Sequence, residues 1–262
     1  MLVHLLVLKP DVKAKDLIAK LPAEDVLCSG IPHGWVHTPR SLDILTGREW
    51  NLFLLTKTHT LLVAAQDLCE HRLSISVSIP KEQYDSILAS HNIRAAPSPK
   101  TPNLPDPWHA GRIPDSSIVP ALDRALRPGE LRLNKLMATF LATTLPGPVR
   151  NSPVSLFNLF KYKHGDSAVH DHYMEGFKRG FGDSAGATVR FMGPVRGGKL
   201  GRWEEGARWD DANLVQYDTI WHYAYMLSTD LYKELNREKV EGLEDTCILA
   251  VGEVEVFDEV RR

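Results

Sequence analysis

An α+β fold is predicted for this chain by two observations. Between residues 154 and 256 the hydrophobic period alternates between two and about 3.6 in the order strand, helix, strand, strand, helix, strand. Eleven of the seventeen prolines fall between Pro97 and Pro153. The order βαββαβ is the ferredoxin-like unit. The prolines open with P-S-P-K-T-P-N-L-P-D-P, which can hold neither a helix interior nor a central strand and so marks a boundary. The 262 residues exceed one small module and suit two halves of about 100 residues with a join. The expected division is a diverged ferredoxin-like half at 1–95, a proline-rich connector carrying one helix at 96–152, and a ferredoxin-like domain at 153–262.

In the C-terminal half, Val154 to Tyr162 (V-S-L-F-N-L-F-K-Y) reads as a strand and Asp166 to Phe181 as a helix with Val169, His172, Tyr173, Gly176, Phe177 and Gly180 on one face. Ala187 to Val195 and Asn213 to Tyr217 read as strands. Asp218 or Thr219 caps a single helix running through Ile220, Tyr223, Leu227 and Leu231 toward Arg237, and Thr246 to Val256 is the last strand. The connector helix spans Glu130 to Thr144, with Leu133, Leu136, Met137, Phe140 and Leu141 on one stripe. The N-terminal half is less regular: strand Leu2 to Leu8, helix Val12 to Leu21, strand Trp50 to Lys57, an alternating strand through Leu73, Ile75, Val77 and Ile79, and a helix holding Tyr84, Ile87 and Leu88. Thr60 to Asp67 fits either strand or helix.

Composition narrows the function classes. With 43% apolar and 24% charged residues the chain has material for a packed core. Its net charge of −2 argues against a dedicated nucleic-acid or acidic-membrane surface. Cys28, Cys69 and Cys247 are isolated, which indicates neither a disulfide framework nor a cysteine zinc site. Met1 to Leu8 runs into Lys9, Pro10 and Asp11 where a secretory segment would stay apolar, and no apolar run approaches a membrane span, so a cytoplasmic location is expected.

Three stretches carry a family resemblance: N-L-F-K-Y from Asn158, L-V-Q-Y-D-T-I-W-H-Y-A-Y-M-L-S-T-D-L-Y from Leu214, and G-L-E-D-T-C-I-L from Gly242. Tyr217, Thr219, Tyr223, Met226, Ser228, Tyr232 and Glu244–Asp245–Thr246 match the pattern of an uncharacterised domain family in the dimeric α+β barrel superfamily, whose relatives include EthD-like and antibiotic-biosynthesis-monooxygenase-like proteins. The resemblance covers residues 153–256. Asp218, Asp230–Leu231 and Lys239 depart from it, the last standing where arginine is common. It implies two ferredoxin-like sheets packed face to face, normally from two chains, with a small-molecule cavity between each sheet and its helices. A chain with two such halves closes that barrel as a monomeric pseudo-dimer; a homodimer through the C-terminal half is the competing expectation. Fold carries over better than chemistry, since the superfamily holds cofactor-free monooxygenases, cyclases, decarboxylases, haem-handling enzymes and proteins without known activity.

Within that frame, the residues of interest are polar groups on the sheet face under the helices. Asn158 shares a face with Phe160 and Tyr162 and is placed to orient a carbonyl or hydroxyl. His172 and Tyr173 are assigned to the helix face turned to the sheet, as a proton shuttle and a hydroxyl donor. Tyr217, Arg190 and His222 follow, Arg190 as a holder of a carboxylate or enolate. His172, Tyr217 and Asn158 are the candidate catalytic residues, and Tyr173, Arg190, His222, Phe160 and Tyr162 the candidate substrate contacts. The expected activity is acid–base chemistry (cyclase, isomerase, decarboxylase or oxygenase) without a dissociable cofactor, on an aromatic or polyketide-like compound of secondary metabolism. The alternative is a non-catalytic binding or stress-associated protein, with a haem-binding variant third.

Other motifs are weaker than they look. Gly182-Asp-Ser-Ala-Gly186 fits a nucleophile elbow around Ser184, but it follows a helix and precedes a strand, the reverse of what the elbow needs. Gly193 to Lys199 fits half of a phosphate loop, with Leu200 where a hydroxyl should hold magnesium and no helix behind it. Arg196, Lys199, Arg202 and Arg208 beside Trp203 and Trp209 are neutralised by neighbouring acids. His164, His170, Asp171 and His172 suggest a metal, yet positions 170 and 172 point roughly 200° apart on a helix, so no metal site is expected.

Overall fold

The computed structural model describes residues 1–40, 43–58, 67–90, 104–143, 151–165, 167–182, 186–196 and 209–253. Its eight strands are β1 (Leu2–Leu8), β2 (Val26–His37), β3 (Leu52–Thr56), β4 (Cys69–Ser76), β5 (Val154–Tyr162), β6 (Ala187–Pro194), β7 (Asp211–Tyr217) and β8 (Leu243–Glu253). They form one sheet in the order β4-β1-β3-β2-β8-β5-β7-β6, and every neighbouring pair is antiparallel. The class is therefore α+β. Each run of four strands places its fourth beside its first, then its third, then its second.

The sheet curls until its ends meet. Val77, just past β4, bridges Val195, just past β6, while Ser78 N donates to Pro194 O (3.0 Å) and Arg196 N to Ser76 O (2.8 Å). Two glycines make the joins between the runs possible. A Cβ on Gly193 would overlap the Ser78 carbonyl oxygen, and one on Gly30 would overlap Val251 and the Gly252 carbonyl where β2 meets β8.

Strand alternation sorts the apolar residues onto two faces. Phe53 and Leu55 from β3 share an interior cluster with Phe157 and Leu159 from β5, Leu214 from β7 and Leu249 from β8. The rings of Phe53 and Phe157 meet at 5.4 Å between centroids, so both runs feed one interior. The opposite face of the second run, with Leu156, Val215 and Ile248, is covered by α5 (Ala168–Phe181), α6 (Ile220–Ser228) and α7 (Asp230–Gly242). In the first run, α1 (Ala14–Ile18) packs Leu17 and Ile18 on Leu6, Leu52 and Leu54. Among the described residues the remaining α-helices are α2 (Asp43–Thr46), α3 (Lys81–Ser90) and α4 (Lys135–Thr143).

Several elements differ from the sequence expectation, each for a local reason. β2 was not expected, because Gly30, Pro32 and Gly34 interrupt its apolar pattern; the strand tolerates them with register shifts at 32–34 and 35–37. The helix expected over Val12 to Leu21 spans only Ala14–Ile18. The long helix expected from Ile220 to Arg237 is two: Thr229 is extended (φ −76°, ψ 148°), and its hydroxyl accepts from Tyr232 N at 3.2 Å, capping α7. α4 starts at Lys135, after Asn134 Oδ1 accepts from Met137 N (2.9 Å), and its Leu136, expected on the apolar stripe, is exposed. Residues 60–66, Ser184, and Lys199, Leu200, Arg202, Trp203 and Arg208 lie outside the described residues. Among the described residues no helix is long and apolar enough to cross a membrane.

Candidate active site

Between the second run of strands and helices α5 to α7 lies a cavity of about 30 Å³, space for about two water molecules. Its floor is the helix-facing side of β5 and β7. Antiparallel register sets Asn158 directly opposite Asn213, and Asn158 Nδ2 donates to Asn213 Oδ1 (2.7 Å) and to the Leu156 carbonyl (3.0 Å). Tyr217, two pleats further along β7 on the same face, completes the floor. The helices supply the roof: Tyr173 and Phe177 from α5, Tyr223 and Met226 from α6, Tyr232 and Lys239 from α7.

Lys239 is the unusual member. It stands on the apolar stripe Tyr232, Leu235, Asn236, Lys239, Val240 of α7 and is only 3% exposed. Its Nζ lies 5.4 Å from the Tyr173 ring centroid and 5.9 Å from that of Tyr232, with the Tyr232 hydroxyl at 3.5 Å. No carboxylate pairs with it among the described residues. Burial brings its pKa down to about 7, since no carboxylate among the described residues offsets the loss of hydration of the ammonium. The same burial raises the pKa values of Tyr173, Tyr217, Tyr223 and Tyr232, keeping all four phenols neutral donors at physiological pH. Tyr217 donates to Met226 Sδ (3.6 Å), and the Tyr223 hydroxyl has no hydrogen-bond partner among the described residues.

A strap of chain from the proline-rich segment crosses the site. Leu131 lines the cavity, its carbonyl accepting from Asn236 Nδ2 at 3.4 Å. Gly129, at φ +71°, sits against the Lys239 stem, and its N–H donates to His37 Nε2 (3.3 Å). Burial, then the charge of Lys239, lowers the His37 pKa to about 4. Glu130 pins the strap, accepting from both Arg124 guanidinium nitrogens (2.8 and 2.9 Å) and from Arg127 N (3.0 Å); the Arg124 bonds chiefly hold its carboxyl at about 2.

Four of the expected residues meet at this cavity: Asn158, Phe160, Tyr173 and Tyr217. Tyr162 lies beyond its end, where its hydroxyl donates to Asp211 Oδ2 (2.6 Å). Arg190 is outside the wall, on β6, with Nη1 donating to Gln216 Oε1 (2.6 Å). His222 is in the first turn of α6, its Nδ1 2.9 Å from Thr219 Oγ1. The placement of His172 against the sheet is corrected. Its side chain is 73% exposed and reaches Glu238 on α7, Nδ1 to Oε2 3.0 Å. The buried stripe of α5 is His170, Tyr173, Met174, Phe177 and Phe181. Counting Gly176 and Gly180 as apolar residues places the face about a quarter turn away from this stripe.

His170 takes the place expected for His172. It is 1% exposed, packed against the rings of Phe160 (4.3 Å), Tyr162 (5.3 Å) and Tyr173 (5.5 Å), and neither ring nitrogen has a partner among the described residues. Burial first, then Lys239, lowers its pKa to about 3. Sequence reasoning also missed Asn213, Tyr223, Tyr232 and Lys239 as site residues. The signal for Lys239 was present, a basic residue on the apolar stripe of an amphipathic helix and seven positions after a tyrosine. Among the described residues no three His, Cys, Asp or Glu side chains converge as metal ligands.

No protein-family model matches the chain, and neither does any curated protein. Among solved structures, a protein of unknown function from Rhodopseudomonas palustris is similar at 17% identity over 40% of this chain and 85% of its own, with a TM-score of 0.34; its methylated form gives 16%, 40%, 84% and 0.33. A "putative monooxygenase" from Lactobacillus acidophilus NCFM is similar at 9% identity over 95% of this chain and 91% of its own, with a TM-score of 0.45.

Proposed function

We propose that residues 1–95 and 153–262 are two ferredoxin-like units in tandem, joined by 96–152, and that the chain forms by itself an α+β barrel of the kind usually assembled from two subunits. The repeated fourth-first-third-second strand order supports this reading, as does the meeting of β4 and β6. Its expected solution state is a monomer; a dimer in sedimentation equilibrium returns the assembly to the homodimer alternative.

For function, we propose a small-molecule enzyme that moves protons on a compact carbonyl compound without a dissociable cofactor. Lys239, neutral for part of the time near pH 7, is the base; the tyrosine hydroxyls are donors to the oxygen where charge develops, and Asn158 and Asn213 orient the ligand. The observation that carries this reading is an amine buried among four tyrosines with, among the described residues, no carboxylate to hold its proton. Folds tolerate an uncompensated buried amine most readily where chemistry uses it. The cavity volume favours a ligand of a few heavy atoms over the aromatic or polyketide-like compound suggested by composition, which would need several hundred Å³.

The test is exchange of the carbon-bound hydrogens of glycolaldehyde with solvent deuterium, followed by NMR. Exchange by the native protein is expected to fall on the order of 100-fold in Lys239→Met and to persist in part in Tyr217→Phe. Equal exchange in native protein and Lys239→Met, both folded by circular dichroism, overturns the reading. The small cavity also favours a second reading, a non-catalytic barrel whose interior is filled by its own side chains; that reading wins if the native protein catalyses no exchange.

A further inference from the structure

We propose that Lys239 is also a nucleophile, capturing the smallest aldehydes as a covalent imine. The inference rests on the cavity being the small-molecule site of the preceding section and names its substrate class.

The geometry of the amine supports it. Its single hydrogen bond among the described residues, to the Tyr232 hydroxyl, is long at 3.5 Å, so the nitrogen lone pair of the neutral form is not committed elsewhere. The faces of Tyr173 and Tyr232, at 5.4 and 5.9 Å, favour positive charge at this nitrogen, which is where charge appears in the protonated imine. The rest of the wall is largely apolar, and a dry cage favours condensation because water is a product. Near neutrality burial leaves part of the amine unprotonated, the form that attacks.

The step balances without any further reagent. The lysine nitrogen forms a bond to the carbonyl carbon as the C=O π pair moves to oxygen. That oxygen takes a proton from the Tyr232 hydroxyl, and the phenolate is restored by a proton from the nitrogen. In the carbinolamine the nitrogen pair then expels the hydroxyl, which leaves as water with a second proton from the same phenol, again returned from nitrogen. One water is lost, and nothing is oxidised or reduced.

The wall sets the substrate class. About 30 Å³ restricts the class to the smallest carbonyls, of one or two carbons. Among the described residues no arginine lines the cavity, and a carboxylate or phosphate would pair with Lys239 as an ammonium and so suppress its attack. The Asn158–Asn213 pair on the floor offers amide contacts to a hydroxyl. A small neutral hydroxy-carbonyl such as glycolaldehyde fits these constraints.

The experiment exposes the full-length protein at pH 7 to glycolaldehyde with cyanoborohydride, which reduces an imine to a stable secondary amine, and maps the modified lysines by peptide mass spectrometry. Labelling at Lys239 is expected on the order of 1000-fold faster than at a lysine of ordinary pKa, from the difference in unprotonated fraction, and half-maximal near pH 7; exposed Lys233 is the surface peptide for comparison. In Lys239→Arg, which keeps a basic side chain, labelling of that peptide should vanish while the surface lysines are unaffected. Labelling of Lys239 no faster than Lys233 in folded protein overturns the proposal. Deuterium exchange that depends on Lys239 without any trapped adduct also overturns it while leaving the acid–base reading standing. An adduct without exchange does the reverse.

Discussion

Lys239 and Tyr232 are two helical turns apart on α7, both buried, with Nζ 3.5 Å from the phenol oxygen. The pair faces no carboxylate among the described residues, so the protein carries the full cost of dehydrating an amine and shifts its protonation instead.

That cost predicts a stabilising substitution with a pH signature. The folded protein binds the Lys239 proton only below about pH 7, whereas an unfolded lysine binds it up to about pH 10.4. Between these values the unfolded state holds more protons, so native stability rises with pH, by at most about 1.4 kcal/mol per unit. Lys239→Met should be about 1–3 kcal/mol more stable than native at pH 7, and the gap should shrink toward pH 10. Urea midpoints of both proteins across that range measure it; parallel curves would remove the buried-ammonium account.

His170 makes the complementary prediction at acid pH. Its folded pKa of about 3 lies below the unfolded value near 6.5, so protonation favours unfolding as pH drops from 6.5 toward 3. His170→Phe fits the box of Phe160, Tyr162 and Tyr173 and removes two buried, unpartnered nitrogens. We expect a gain of about 1–2 kcal/mol at pH 7 and an acid midpoint moved to lower pH, with His37 keeping part of the acid sensitivity. A loss of thermal stability at pH 7 would contradict the orphaned-ring interpretation.

Glu130→Ala should loosen the strap over the cavity without unfolding the sheet. Most of its partners are exposed arginines, so the effect is modest: amide hydrogen exchange in 119–133 should speed up about two- to fivefold, while the amides of β5 and β8 keep their native protection. The bond's contribution is present above the ordinary glutamate range and is lost as pH falls through about 2, the value to which Arg124 depresses it. Unchanged exchange in 119–133 would mean that Glu130 does not pin the strap.

Gly193→Ala probes the closure of the sheet. The added methyl collides with the Ser78 backbone, which cannot rotate away as a side chain would. A loss of about 1–3 kcal/mol, at the upper end or beyond, is expected in chemical denaturation. A neutral effect would show that the Ser78 backbone yields to the methyl and that the closure does not depend on this close approach.

The second run of strands was legible in the sequence because its elements alternate cleanly. Val154 to Tyr162 was bounded to the residue, and Asn158, Phe160, Tyr173 and Tyr217 were all placed toward one cavity. The first run was less so. β2 is built through Gly30, Pro32 and Gly34, residues that signal a turn locally and are accommodated here only because β3 and β8 flank them. The histidine of α5 was misassigned by two positions because its helix phase depends on Met174 and Phe181 outweighing Gly176 and Gly180. In the sequence Lys239 stands out only as a departure from a pattern, since only tertiary burial distinguishes a desolvated amine from a solvated one.

The join at Val77 and Val195 has an evolutionary corollary. When a barrel is made from two identical chains, every substitution strikes both cavities at once. Here the two runs share a single polypeptide, and each drifts alone. The first strand of one run presents His4 on its outward face, tied to Ser74 Oγ (2.7 Å) and Thr56 Oγ1 (2.9 Å); the first strand of the other presents Asn158 to an open cavity. On the proposed tandem reading, one side is free to act as scaffold while its companion specialises, a division of labour that a symmetric assembly cannot encode.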